Sequence, residues 1–126
     1  PASIETVQNN WHTIMWDGHA VFKAAVSKMA DVSVEMMERH HLSSDDIRYL
    51  VPHQANLRIL DVIARRYHLP KEKVYVNMDR FGNTSSASVP ICLNEMRRNG
   101  LLREGQTIVC TGFGGGLTYG AFVLKL

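Results

Sequence analysis

No run in the 126 residues approaches the roughly 20 consecutive apolar positions of a membrane-spanning helix. The N-terminus also lacks the basic and apolar regions of a signal peptide, so the chain reads as cytoplasmic, with no membrane partner. Cysteine is scarce. Cys92 and Cys110 both sit among apolar neighbours and read as small buried hydrophobes rather than a disulfide pair. Charge of one sign is also lacking: a net charge of +2 argues against a nucleic-acid-binding arm, and no nucleic-acid partner is expected. The histidines are scattered, and the adjacent His40 and His41 point to different sides of a helix, so no metal site is expected. Internal repeats, low-complexity segments and linkers are absent, and 126 residues fit a single domain with a sizeable core. The chain opens at Pro1 without a methionine and soon enters a long helix, which is compatible with a piece of something larger.

The patterning that is present describes alternating helices and strands. Residues 1 to 17, with Trp11, His12 and Trp16, show no clean period and read as an irregular lead-in. From His19, apolar positions including Phe22, Ala25, Val26, Met29 and Met36 recur at three- and four-residue spacing, predicting a helix capped by Asp17 that fades at His40-His41. Ile47 to Val51 predicts a buried strand ended by Pro52, and Asn56 to Tyr67 a second helix closed by Leu69-Pro70. Lys73 to Asn77 has the β-branched and aromatic content of a strand. Asp79 to Ser86 reads as a polar loop, and Ser85 to Arg98 as a third helix, stopped by Gly100. Its opening residues lack bulk, which suits close packing, and Pro90 must lie in its first turns or kink it. Gln106 to Thr111 and Leu117 to Leu126 are the last strands, joined by a glycine-rich turn. The expected fold is therefore α/β, a mostly parallel sheet with an antiparallel C-terminal strand and helices on both faces.

In such sheets, sites gather beyond the carboxyl ends of the parallel strands. Three loops fall there: Pro52 to Asn56, Met78 to Ser85 and Gly112 to Gly116. They bring His53, Asn83 and the glycines together despite their separation in sequence. Taken singly, each has an ordinary structural reading, as a hydrogen-bonded histidine, a turn asparagine and a hairpin. The glycine run lacks the last glycine of a dinucleotide fingerprint and no helix follows it, so a phosphate cradle is discounted.

Three segments, His53-Gln54-Ala55-Asn56-Leu57-Arg58-Ile59, Phe81-Gly82-Asn83-Thr84-Ser85-Ser86-Ala87-Ser88-Val89-Pro90 and Gly112-Phe113-Gly114-Gly115-Gly116-Leu117-Thr118-Tyr119-Gly120, resemble the C-terminal signatures of β-ketoacyl-[acyl carrier protein] synthase III. Asp17 to Lys23 fits the same family, so the resemblance covers nearly the whole chain. It implies the thiolase fold, in which two similar α/β halves start fatty-acid synthesis by decarboxylative condensation of an acyl-coenzyme A primer with malonyl-acyl carrier protein. The family's nucleophilic cysteine lies on the other half, and neither Cys92 nor Cys110 matches it. The resemblance thus makes residues 1 to 126 a C-terminal condensing-enzyme domain whose partner half, with the nucleophile, is not in this sequence.

The resemblance further implies that His53 and Asn83 donate to the enolate oxygen formed on loss of carbon dioxide, and that the Gly115 backbone N–H holds the acyl-cysteine oxyanion. Gly18, Phe22, Ala55 and Asn56 match positions lining the tunnel for the coenzyme A or phosphopantetheine arm, and Phe113 borders the acyl pocket. By themselves Lys23, Arg58, Arg65 and Arg66 form a solvated basic face, on which Arg58 and Arg65 share one helix side. In the family this face receives the acidic carrier protein. No permanent cofactor is implied, since coenzyme A and phosphopantetheine thioesters are substrates, and the intact enzyme is expected as a homodimer. The chain alone is expected to be inactive and to self-associate through uncovered apolar surface. Two other readings stay open: a non-catalytic binding module for coenzyme A or carrier protein, and half of a Cys-His-Asn hydrolase.

Overall fold

The computed structural model describes residues 2–13 and 17–126. Trp16, read above as part of the lead-in, lies outside them. The lead-in is not wholly irregular, because Ile4–Gln8 forms a short helix, α1. Its cause is a reciprocal cap: Ser3 Oγ accepts from the Thr6 N–H at 3.1 Å, and Thr6 Oγ1 accepts from the Ser3 N–H at 2.8 Å.

The long helix α2 spans Gly18–Arg39 and starts where expected, with Asp17 accepting from the His19 and Ala20 N–H groups at 2.9 and 3.1 Å. Strand β1 (Ile47–Pro52), helix α3 (Leu57–Arg66), a 3-10 turn (Lys71–Lys73) and a one-turn helix α4 (Met78–Phe81) follow. A second 3-10 turn (Ser85–Ala87) leads into α5 (Ser88–Arg98), so Pro90 lies in the first turn, where no intrahelical N–H is needed. Strand β2 (Thr107–Gly114), the turn Gly115–Leu117 and strand β3 (Thr118–Lys125) complete the chain.

The sheet order is β1-β2-β3, with β1 parallel and β3 antiparallel to β2. Helices cover both faces. On one, α2 and α3 bury Ala25, Met29, Ile59 and Ile63 against Ile47, Leu50 and Val109; on the other, Cys92 and Met96 of α5 pack on Tyr49, Val51, Ile108 and Cys110. A register shift between Ile47 and Tyr49 leaves Arg48 as the extra residue, which lets Ile47 and Leu50 lie on the same face although they are three apart. Tyr67 ties α3 to α2: its hydroxyl donates to the Met29 carbonyl at 3.2 Å and to that of Ala30.

The segment Lys73 to Asn77, expected as a strand, forms only a single parallel bridge, Val74 to Leu50. The Tyr75 N–H donates to the Leu50 carbonyl at 2.9 Å. The next donor along that edge of β1 belongs to position 52, and proline has none. Gln54, buried to 1% exposure, takes over: its Nε2 donates to the Pro52 and Tyr75 carbonyls at 2.8 and 3.2 Å, and its Oε1 accepts from the Asn77 N–H at 3.1 Å. Asn77 in turn accepts from the Cys92 thiol at 3.2 Å and donates to Glu95 at 2.9 Å, which fixes the segment to α5. A side-chain network thus replaces the backbone ladder. At the small-residue opening, Ser85–Ala87 are exposed in this chain and Ser88 is packed inside.

Candidate active site

Parallel register sets Pro52, the end of β1, opposite Thr111, and β2 runs on to Gly114. His53 therefore enters the space beside the last residues of β2, where Gly112 faces its Cβ. The His53 N–H donates to the Thr111 carbonyl at 2.7 Å, continuing the pairing by one bond. The His53 ring meets the Phe113 ring in an edge-on contact, with centroids 5.6 Å apart and planes at 66°. Its Nδ1 lies 2.6 Å from Ser88 Oγ at the start of α5. Burial pushes the His53 imidazole below its ordinary pKa, because the charged form loses more solvation than the neutral form.

Asn83 enters the same cavity from the loop after α4. Gly82 precedes it at φ 64°, ψ −156°, a conformation essentially confined to glycine. Asn83 Oδ1 then accepts from the Ser85 N–H at 2.9 Å. With its oxygen engaged, the amide keeps Nδ2 as a spare donor. Ser85 itself sits at φ 54°, a left-handed conformation uncommon for serine, and completes the sharp turn.

These residues converge as expected. His53, Asn83 and Gly115 line one cavity of about 1300 Å³. Gly18, Phe22, Ala55, Asn56 and Phe113 line the same cavity. Asn56 has a second task, capping α3 by accepting from the Arg58 N–H at 2.8 Å. The basic residues stand apart from the cavity and are exposed. Arg66 is engaged with Asp31 at 2.6 Å and so links α3 to α2, whereas Lys23, Arg58 and Arg65 have no ion-pair partner among the described residues.

Neither cysteine reaches the cavity. Both are free and buried between α5 and the sheet, and burial is the first cause of thiol pKa values pushed up to about 11 for Cys92 and about 12 for Cys110. Sequence reasoning missed Ser88 and Gln54 as members of the site's support. Ser88 is 35 positions from His53, and only the shared placement of a helix start and a strand end could have paired them.

Two donors in a cavity with an apolar wall and a glycine turn suit an oxygen that gains negative charge. No helix among the described residues is long and apolar enough to cross a membrane.

Residues 37–126 match the family described as 3-oxoacyl-[acyl-carrier-protein] synthase III C terminal. The chain is 54% identical over 99% of its length to a β-ketoacyl-[acyl-carrier-protein] synthase III of Porphyromonas gingivalis, covering 37% of that protein. It is 52% identical over 98% of its length to the synthase III of Clostridioides difficile, covering 38% of it. Among solved structures, a synthase III from Aquifex aeolicus superposes with a TM-score of 0.89 at 41% identity, over 94% of this chain and 38% of that one. The Thermus thermophilus enzyme gives 0.85 at 47% identity, over 89% of this chain and 35% of that one. The chain thus spans well under half the length of the relatives it matches, and within that span it belongs to the 3-oxoacyl-[acyl-carrier-protein] synthase III family, in its C-terminal portion.

Proposed function

We propose that this chain supplies the oxyanion-holding part of a β-ketoacyl-[acyl carrier protein] synthase III, an acyltransferase that starts fatty-acid synthesis. A cysteine thiolate outside this sequence takes the acyl group from acyl-coenzyme A, and free coenzyme A leaves. Malonyl-acyl carrier protein then loses carbon dioxide: the carbon–carboxylate bond breaks, and its electron pair moves onto the thioester as an enolate. The enolate carbon attacks the acyl-cysteine carbonyl and expels the thiolate, giving β-ketoacyl-acyl carrier protein.

His53 and Asn83 act on the enolate oxygen. A neutral imidazole N–H and a carboxamide N–H hold that charge while remaining too weakly acidic to protonate the carbanion. The Gly115 N–H serves the oxyanion of the acyl-cysteine. The cavity walls from Gly18, Phe22, Ala55 and Asn56 accommodate the phosphopantetheine arm, and Phe113 bounds the acyl chain. Lys23, Arg58 and Arg65, free of ion pairs among the described residues, steer the acidic carrier protein, with Arg66 beside them already bound to Asp31. No resident cofactor takes part, the working enzyme is a cytoplasmic homodimer, and this chain is one domain of it.

The observation that carries this reading is the convergence of His53 and Asn83 on one cavity that neither cysteine lines. It also disfavours a Cys-His-Asn hydrolase, in which the asparagine oxygen orients the histidine, because here Ser88 rather than Asn83 bonds the His53 ring. The test is a fusion of this chain to the preceding portion of the Porphyromonas gingivalis synthase. The chain alone should form no ketoacyl product, and the fusion should. His53→Ala or Asn83→Ala in the fusion should lower kcat by about 100-fold or more. Product formed by the chain alone, or an inactive but folded fusion, overturns the proposal.

A further inference from the structure

Ser88 is the first residue of α5 and is only 2% exposed. Its hydroxyl lies 2.6 Å from His53 Nδ1, and it makes no other side-chain hydrogen bond among the described residues. A hydroxyl has one proton to donate, and a neutral imidazole has one nitrogen that donates and one that accepts. Two arrangements are open to the pair. If Nδ1 carried the proton and donated to Ser88, the serine hydrogen would be buried with no acceptor. If the serine donates to an unprotonated Nδ1, every buried hydrogen is used, and the imidazole proton resides on Nε2. Buried donors are rarely left orphaned, which selects the second arrangement.

The position of the serine favours the same choice. Nδ1 faces the N-terminus of α5, where the helix dipole is positive and a lone pair is better placed than an N–H. The ring cannot readily turn to exchange its nitrogens, because Phe113 packs edge-on against it and the backbone is pinned to Thr111.

We infer that Ser88 is a positioning residue that fixes His53 as the Nε2–H tautomer, so that the ring presents a donor rather than a base to the cavity it shares with Asn83. The purpose of that donor rests on the condensing reading above; the tautomer itself does not.

Side-chain nitrogen NMR on the full chain near pH 8 tests this, with the His53 signals assigned by comparison with His53→Gln. Nδ1 should resonate as an unprotonated nitrogen and Nε2 as a protonated one, in a single tautomer. Ser88→Ala should bring both signals towards a tautomeric average, and Ser88→Thr, which keeps the hydroxyl, should restore the separation. A protonated Nδ1 in the unaltered chain overturns the inference, as does a Ser88→Ala spectrum with unchanged His53 signals. The unaltered chain decides the first point even if a variant does not fold. In the active fusion, Ser88→Ala should lower kcat about tenfold or more, by analogy with other residues that orient a functional side chain, and leave KM unchanged. Loss of the tautomer with full kcat would support the hold of Ser88 on the ring and overturn the condensing role of the donor.

Discussion

The Gln54 side-chain amide donates to the Tyr75 carbonyl at 3.2 Å, at the position on the β1 edge where Pro52 has no N–H to offer. One side chain therefore substitutes for a backbone donor two residues earlier. It holds the segment that leads to Asn83 against the strand that leads to His53.

Replacing Gln54 with Leu should be costly for that reason. The Asn77 N–H would lose its acceptor and the Tyr75 carbonyl a donor, and a buried group left unpaired costs about 1–3 kcal/mol. Urea unfolding should show a lower midpoint, and the Asn77 amide should exchange with solvent faster than in the unaltered chain. An unchanged midpoint would mean that the network is not needed to hold this segment.

Tyr67→Phe isolates the bond between the two helices on one face of the sheet. The phenyl ring stays, and only the donor to the Met29 and Ala30 carbonyls is removed. A loss of about 1–2 kcal/mol is expected, read as a shift in the unfolding midpoint with no change in helical content.

The two thiols should resist labelling in the native chain. With pKa values of about 11 and about 12 and burial in the cluster between α5 and the sheet, neither offers a thiolate at pH 8. Iodoacetamide should modify neither residue until denaturant is added, when both should react. Rapid native alkylation of either would show that α5 opens away from the sheet.

Stability should fall with acid in a way that reports on His53. Its folded pKa lies below the ordinary 6.5, so the unfolded chain takes up this proton first as pH drops. The contribution is fully present above 6.5 and is lost through the window below it. Unfolding midpoints measured at pH 7.5 and pH 5 should therefore converge in His53→Gln relative to the unaltered chain. Equal acid sensitivity of the two would show that the imidazole is not desolvated.

The main elements were legible because their signals are local. The three- and four-residue spacing of apolar positions located α2 and α3, Asp17 marked a start, and the apolar run at Ile47 marked β1. The grouping of His53, Asn83 and the glycine turn came from placing three loops beyond strand ends, although the segment before Asn83 joins the sheet through a single bridge. The segment at Lys73 to Asn77 misled because its residues favour a strand, whereas its pairing depends on a proline in another element. Ser88 read as a small packing residue, since its bond to His53 depends on how a helix start meets a strand end. The Ser3 and Thr6 cap was overlooked for a simpler reason: the pair lacks the Glu or Gln that usually marks this motif.

Gly82 carries a consequence of another kind. At φ 64° and ψ −156° there is open space around the position, so the constraint is torsional rather than steric crowding from neighbours. Every missense change of one nucleotide in a glycine codon introduces a side chain. Gly82 therefore has no mutational neighbour that keeps its backbone, and the asparagine after it can be moved without being changed. Across the genes of this family, the codon before the asparagine should drift only among its silent forms.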